Sequence, residues 1–212
     1  MSKDDKILLA HGSGGKLAHD LIIKNFVSAL GNDILTRMND SAVFSARGKL
    51  AFTTDSYTVS PIFFPGGDIG RLAVCGTVND LSTSGAKPLY LSLAFIIEEG
   101  FSIEELRKII ESIKSTADEA GVKIVTGDTK VVNRGCADKI FINTAGIGAL
   151  PADVNISGSN ARPGDKVIIT GTIGDHGIAV LSQREGLGFE TRLQSDVAPL
   201  GKMVASCKKL SP

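Results

Sequence analysis

The sequence predicts an α+β fold, a mixed sheet with helices on one face, and three observations predict it. Ser102-Ile103-Glu104-Glu105 is a capping-box sequence. Behind it Ile103, Leu106, Ile110, Ile113, Ala117 and Ala120 step by 3, 4, 3, 4 and 3 residues, which lays one apolar stripe along a helix facing a sheet. Residues 139–147 form a long run rich in β-branched side chains, the composition of a strand. The elements read in order as β-α-β-β-α-β-α-β-β, without the strict alternation of a doubly wound parallel sheet.

Each element has its own signal. Residues 7–10 predict a short strand, interrupted by the glycine-rich His11-Gly12-Ser13-Gly14-Gly15. Leu17, Leu21, Ile22, Phe26, Ala29 and Leu30 then recur at helical steps until Gly31-Asn32 stops them. Apolar runs at 42–44 and 50–54 predict two strands. Between Pro65-Gly66-Gly67 and Gly85 a small-residue helix is expected, with Ile69, Leu72, Ala73, Gly76 and Thr77 letting another backbone approach. Residues 89–97 and 122–126 predict buried strands. A cluster of Gly, Ser, Asn, Arg and Pro at 155–164 marks a boundary, giving an expected first domain of 1–154 and a second of 155–212. There, 166–170 predicts a strand, 171–177 a glycine loop and 178–184 a helix. One strand and one helix do not bury a core, so the second domain is expected to be incomplete.

Composition excludes several classes. Basic and acidic residues balance at 23 each and are interspersed, unlike the basic stripe of a nucleic-acid binder. No stretch approaches the roughly 20 apolar residues of a bilayer span, and the apolar run after the charged start from Met1 to Lys6 is too short for the h-region of a signal peptide. A soluble, cytoplasmic protein is expected. Cys75, Cys136 and Cys207 are odd in number and far apart, which argues against a disulfide framework and a zinc site. Cys75 reads as a small buried hydrophobe.

Four aspartates carry the chemistry. Asp40, Asp55, Asp80 and Asp128 each fall at or just after the end of an apolar or small-residue run, with a hydroxyl residue one or two places on. Asp-Ser and Asp-Thr also mark turns and helix caps. Four with the same flanking chemistry point instead to a cation, usually magnesium carrying phosphates. Lys130 follows Asp128 by two residues, so strand periodicity puts both on one face. The loop Gly12-Ser13-Gly14-Gly15-Lys16 is no Walker A motif, because Leu17 follows Lys16, and it lacks the final glycine of a dinucleotide fingerprint. A flexible segment closing over phosphates with His11 and Lys16, and an ordinary turn into a helix, both remain open. His176, among glycines at a helix start, either donates to a ligand or caps. His19 falls on the polar side of its helix. No Ser-His-Asp set stands out, so hydrolase chemistry is not supported.

These residues resemble a known family. His11-Gly12-Ser13-Gly14-Gly15, Thr53-Thr54-Asp55-Ser56-Tyr57, Phe63-Phe64-Pro65-Gly66-Gly67, Asn79-Asp80 with Ser84-Gly85-Ala86, Gly127-Asp128-Thr129-Lys130 and the glycine loop at 171–177 occur in the order found in the HypE hydrogenase maturation factors. These belong to the PurM-like superfamily. The resemblance implies an α+β first domain that closes a barrel by homodimerisation, with ATP in the cleft beside a second α+β domain. It implies ATP-dependent dehydration of a carbamoylated C-terminal cysteine to a thiocyanate, the cyanide going to nickel-iron hydrogenase. The carbamoyltransferase HypF and the HypC-HypD complex are the implied partners. Carried onto this chain, Asp55, Asp80 and Asp128 would hold Mg2+ (magnesium), with Asp40 a further ligand and Asn79 in support. Lys130 would neutralise the transferred phosphoryl group. Asp80 would alternatively take a proton from the substrate nitrogen. Gly12, Ser13, Gly14, Gly15, Lys16, Gly127, Thr129 and His176 would contact the nucleotide.

The chain departs from that pattern in two ways. It ends at Ser211-Pro212 rather than in a Pro-Arg-aliphatic-Cys tail, and it lacks an Asp-Ala-Thr-Arg-Gly-Gly stretch. A truncated, inactive chain is therefore expected, in which Cys207 does not replace the acceptor. Selenophosphate synthetase is the rival enzyme, but it carries a reactive Cys or selenocysteine where this chain has Ser13 and Gly14. A dimerisation and docking module is the non-enzymatic alternative.

Overall fold

The computed structural model describes residues 5–185 and 193–208; Met1-Ser2-Lys3-Asp4 and Ser211-Pro212, read above, lie outside them. A four-stranded mixed sheet organises the chain. Its strands are β1 (Lys49–Tyr57), β4 (Lys87–Glu98), β5 (Lys123–Val132) and β6 (Ile140–Leu150), in the order β1-β6-β4-β5. β6 is antiparallel to both neighbours, and β4 runs parallel to β5. The parallel pair needs a crossover. Helix α4 (Ile103–Ala120) supplies it. A two-residue hairpin, β2 (Phe63–Phe64) with β3 (Gly67–Asp68), turns at Pro65-Gly66 and leads into helix α3 (Ile69–Thr83).

Alternation decides which face is covered. On β6 Ile140, Ile142 and Thr144 are buried while Asn143 is exposed; on β4 Leu91, Leu93, Phe95 and Ile97 are buried while Ile96 is 45% exposed. α3 and α4 occupy the buried face, as the mixed order of elements predicted. On α4 the expected stripe is present: Leu106, Ile110, Ile113 and Ala117 are buried, joined by Ile109 and Thr116. The Ser102 hydroxyl accepts from the Glu105 amide at 3.4 Å, and Gly121 ends the helix in the left-handed region at φ 73°. Cys75 lies buried in α3, where loss of hydration pushes its thiol up to about 12.

Three predicted strands are absent. Residues 7–10 form instead a bridge from Lys6 to Ser102 and a tight turn, Leu9–Gly12. Only Ile7 is buried, exchanging backbone bonds with Phe101 and Gly100. Residues 42–44 are extended but unpaired, with Val43 71% exposed and the Phe44 ring 4.4 Å from that of Tyr90. Residues 166–170 are also extended without a ladder, and Val167 is 94% exposed. An apolar run supplies strand propensity but not a pairing partner. The amino-terminal helix runs as α1 (Gly15–Leu21), a π segment (Ile22–Val27) and α2 (Ser28–Leu30). The wider π turn brings Asn25 into the buried face, where it bonds the Leu21 carbonyl and accepts from Arg107. Beyond β6 lie α5 (Asp175–Glu185), close to expectation, and α6 (Gly201–Lys208), which was not predicted.

Asp68 caps α3 by accepting from the Gly70 and Arg71 amides at 2.6 and 3.0 Å. Burial outweighs those bonds and raises the carboxyl pKa. A folded pKa above the unfolded value means stability falls as pH rises through the folded pKa. Asp68→Asn keeps the capping oxygen and removes the charge. Urea titrations are expected to show the variant at least as stable as the parent at neutral pH, with the difference shrinking in acid. Asp68→Ala should lose about 1 kcal/mol or more.

Candidate functional site

Strand register sorts the four aspartates. Cross-strand partners share a face. Asp55 of β1 stands opposite Thr144 of β6, and Tyr57 opposite Ile142. The fully buried Thr144 hydroxyl meets that of Thr77 on α3, and the Tyr57 hydroxyl lies 3.0 Å from Thr77, so this is the helix-covered face. One turn on from Thr77, Asp80 Oδ2 accepts from the Thr53 hydroxyl at 3.1 Å. Asp55 and Asp80 therefore flank Thr53 where α3 crosses the outer strand. Burial, and secondarily the charge of Asp55, raises the Tyr57 pKa and keeps its phenol a proton donor beside that carboxylate.

Asp128 and Lys130 belong elsewhere. They stand opposite Ala94 and Ile96, on the face of the sheet away from the helices. The same-face arrangement of this pair agrees with the sequence spacing. The row Asp55-Thr144-Leu93-Gly127 crosses the whole sheet, so three strand spacings, roughly 14 Å, separate Asp55 from the neighbourhood of Asp128. Asp40 borders an open-face groove of about 390 Å³ with Ser41, Phe44, Phe52, Ser92 and Thr126. Among the described residues no three His, Cys, Asp or Glu side chains come together to hold a metal ion. The single chain thus does not converge its four carboxylates. Strand order puts Asp55 and Asp128 on opposite edges and opposite faces of the sheet, with Asp80 on α3 near Asp55.

A second arrangement does form. A cavity of about 310 Å³ lies between the amino-terminal helix and the edge of β5. Ile22, Phe26, Leu30 and Phe95 help give it an apolar floor; His11, Gly12, Gly14, Asp128 and Thr129 are at its polar side, with Asn39 and Ser41. Its size suits a small ligand. Gly12 has no room for a side chain, since a Cβ would collide with the Val131 backbone; Gly14 and Gly15 are open but sit at φ 77° and 79°. The loop thus reaches β5 because these residues are glycine.

Two predicted ligand residues are engaged otherwise. Asn79 Nδ2 donates to the Ala198 carbonyl at 3.0 Å, and its Oδ1 accepts from the Leu200 amide at 2.7 Å. His176 Nδ1 lies 3.0 Å from the Ser195 hydroxyl, its amide donates to Asp196, and its ring packs edge-on to Phe64. Sequence reading gave no hydrogen-bonding role to Tyr57, Thr77 and Thr144, although Tyr57 closes the motif at 53–57 and Thr77 falls on the expected small-residue helix. It also missed segment 193–200, which carries no periodicity.

Residues 38–150 match the AIR synthase related protein, N-terminal domain, and residues 162–211 match the AIR synthase related protein, C-terminal domain. The chain belongs to the AIR synthase related family. Within this family it is 50% identical to the carbamoyl dehydratase HypE of Cupriavidus necator over 99% of its own length and 60% of that protein. Against the HypE of Escherichia coli K12 the identity is 46%, over 97% of this chain and 63% of that one. The chain spans about three fifths of the length of these curated relatives. A crystal structure of HypE in complex with ATP superposes with a TM-score of 0.91 at 54% identity, covering 94% of this chain and 59% of that one. A HypE-HypF complex gives 0.75 at 55% identity, covering 93% and 63%. The family's PurM-like α+β arrangement is thus present, with the sheet open in one chain. No helix among the described residues is long and apolar enough to cross a membrane.

Proposed function

We propose that this chain is the nucleotide-binding part of an ATP-dependent carbamoyl dehydratase. ATP would phosphorylate the carbamoyl oxygen of a thiocarboxamide on a C-terminal cysteine, and loss of phosphate with the nitrogen's protons would leave a thiocyanate. The cavity where Gly12, Gly14, Asp128 and Thr129 meet carries this reading. Similarity to HypE proteins, one of them crystallised with ATP, supports it.

The residues then divide the work. Residues 12–16, including Ser13, Gly15 and Lys16, would close over the phosphates. Lys130 would neutralise charge on the transferred phosphoryl group, where placement matters more than covalent participation. Asp80 would receive a proton from the substrate nitrogen. Magnesium is commonly held by one or two carboxylates plus phosphate oxygens; Asp55, Asp80 and Asp128 would supply such carboxylates, with Asp40 a further candidate. The open face, with Phe52 70% and Ile96 45% exposed, would seat a second copy. In that homodimer Asp55 and Asp80 of one copy would serve the nucleotide held by Asp128 and Lys130 of the other. Residues 1–154 and 155–212 would form first and second domains of a cytoplasmic protein. HypF would deliver the carbamoyl group and the HypC-HypD complex would accept the cyanide.

Mass spectrometry of the full-length gene product with ATP, carbamoyl phosphate and HypF tests this. A terminal cysteine heavier by one cyano group is expected, and Lys130→Ala should reduce its yield at least about tenfold. No cyanated cysteine in the parent protein would overturn the proposal and leave a docking module.

A further inference from the structure

Asn79 and Asp80 are adjacent on α3, yet only Asp80 faces Thr53. Asn79 is spent on the segment 193–200. Its carboxamide pairs with the carbonyl of Ala198 and the amide of Leu200, as a neighbouring strand would pair with them. Arg71, eight residues earlier and so on the same side of the helix, donates from Nε to the Val197 carbonyl at 3.2 Å while its Nη1 lies 3.0 Å from Glu119. The Ser195 amide donates to the Pro65 carbonyl at 2.8 Å, and a Cβ on Gly66 would strike the Ser195 backbone. From the far side His176 holds Ser195 and Asp196. Segment 193–200 is therefore a strap, fixed to α3 and the β2–β3 turn below and to the start of α5 above.

We infer that Asn79 is a positioning residue, which clips the strap onto α3 and so fixes the orientation of Asp80 and the seating of α5 against the first domain. This rests on the proposed function only insofar as Asp80 acts on the substrate; the clip itself does not. Only a carboxamide offers a donor and an acceptor side by side at this length of side chain. Aspartate keeps the bond from Leu200 but turns an oxygen on the Ala198 carbonyl. Alanine loses both bonds.

Hydrogen exchange and kinetics on the full-length protein test the clip. Losing partly buried hydrogen bonds opens a segment locally, so Asn79→Ala should speed exchange across 193–200 by about tenfold or more, with Asn79→Asp between it and the parent. Asp80→Asn should leave that exchange unchanged. Turnover of the Asn79 variants should fall about tenfold while ATP affinity stays within about twofold, the pattern of lost alignment rather than lost binding. Unchanged exchange would overturn the clip. Lost ATP affinity with normal saturated turnover would also overturn it, making Asn79 a ligand. If the parent protein binds no ATP, the proposed function fails, and the exchange measurement still decides the strap.

Discussion

Gly127→Ala is expected to lower the melting temperature of the ligand-free protein by roughly 6–12 °C, from about 3 kcal/mol of overpacking in a chain of this size. The reason lies in the sheet. Gly127 pairs with Leu93 in the parallel ladder of β4 and β5, just past an irregularity in register between Leu91 and Ser92. A Cβ built on Gly127 would run into the Leu93 carbonyl oxygen. That oxygen belongs to the backbone of a central strand whose Leu93 and Phe95 side chains are buried, so it has little freedom to give way. The family resemblance assigns Gly127 to nucleotide contact, through the Gly127-Asp128-Thr129-Lys130 motif. Thermal unfolding without nucleotide separates the two roles, because a glycine needed only for ligand approach would leave the ligand-free protein unaffected. Gly14 provides the contrast: nothing lies near its missing Cβ, and only its backbone, at φ 77° and ψ -175°, resists substitution, a cost of about 1–3 kcal/mol.

What the sequence made legible was whatever depends on local periodicity. The 3-4 stepping of 103–120 returned α4, β-branched residues returned β6, and period two put Asp128 and Lys130 on one face. Pairing was not legible. Residues 7–10 and 166–170 are as apolar as true strands, but their partners are set by tertiary packing, and neither joins the sheet. The same limit applied to the site. Asp55 and Asp128 carry matching flanking residues, yet the strand order β1-β6-β4-β5 sends them to opposite edges. The family resemblance gives Asn79 a supporting role beside the metal ligands; its hydrogen-bonding partners, 119 and 121 residues further on, are set by tertiary packing and carry no local signal. α6 was missed because its apolar positions Met203, Val204 and Cys207 make only a weak stripe.

Separation of the carboxylates has a consequence that mixed dimers will expose. On the proposed function, full-length proteins carrying Asp55→Asn or Asp128→Asn are each expected to lose turnover by at least about a hundredfold, as when a charged group serving a phosphoryl transition state is removed. Produced together with two different tags, they should regain activity. If each nucleotide is served by Asp55 of one copy and Asp128 of the other, a mixed dimer has one site carrying both lesions and one site carrying neither. Random assembly makes half the dimers mixed, so about a quarter of the parent turnover should return. A site built within one chain behaves otherwise, since every site would then carry one lesion and no mixture would recover. Pairing Asp55→Asn with Asp80→Asn is the control. Both residues flank Thr53 in the same chain, so every mixed site keeps one lesion, and mixing them should restore nothing. Recovery in the first mixture without recovery in the second is the outcome expected of the proposed site shared between two copies.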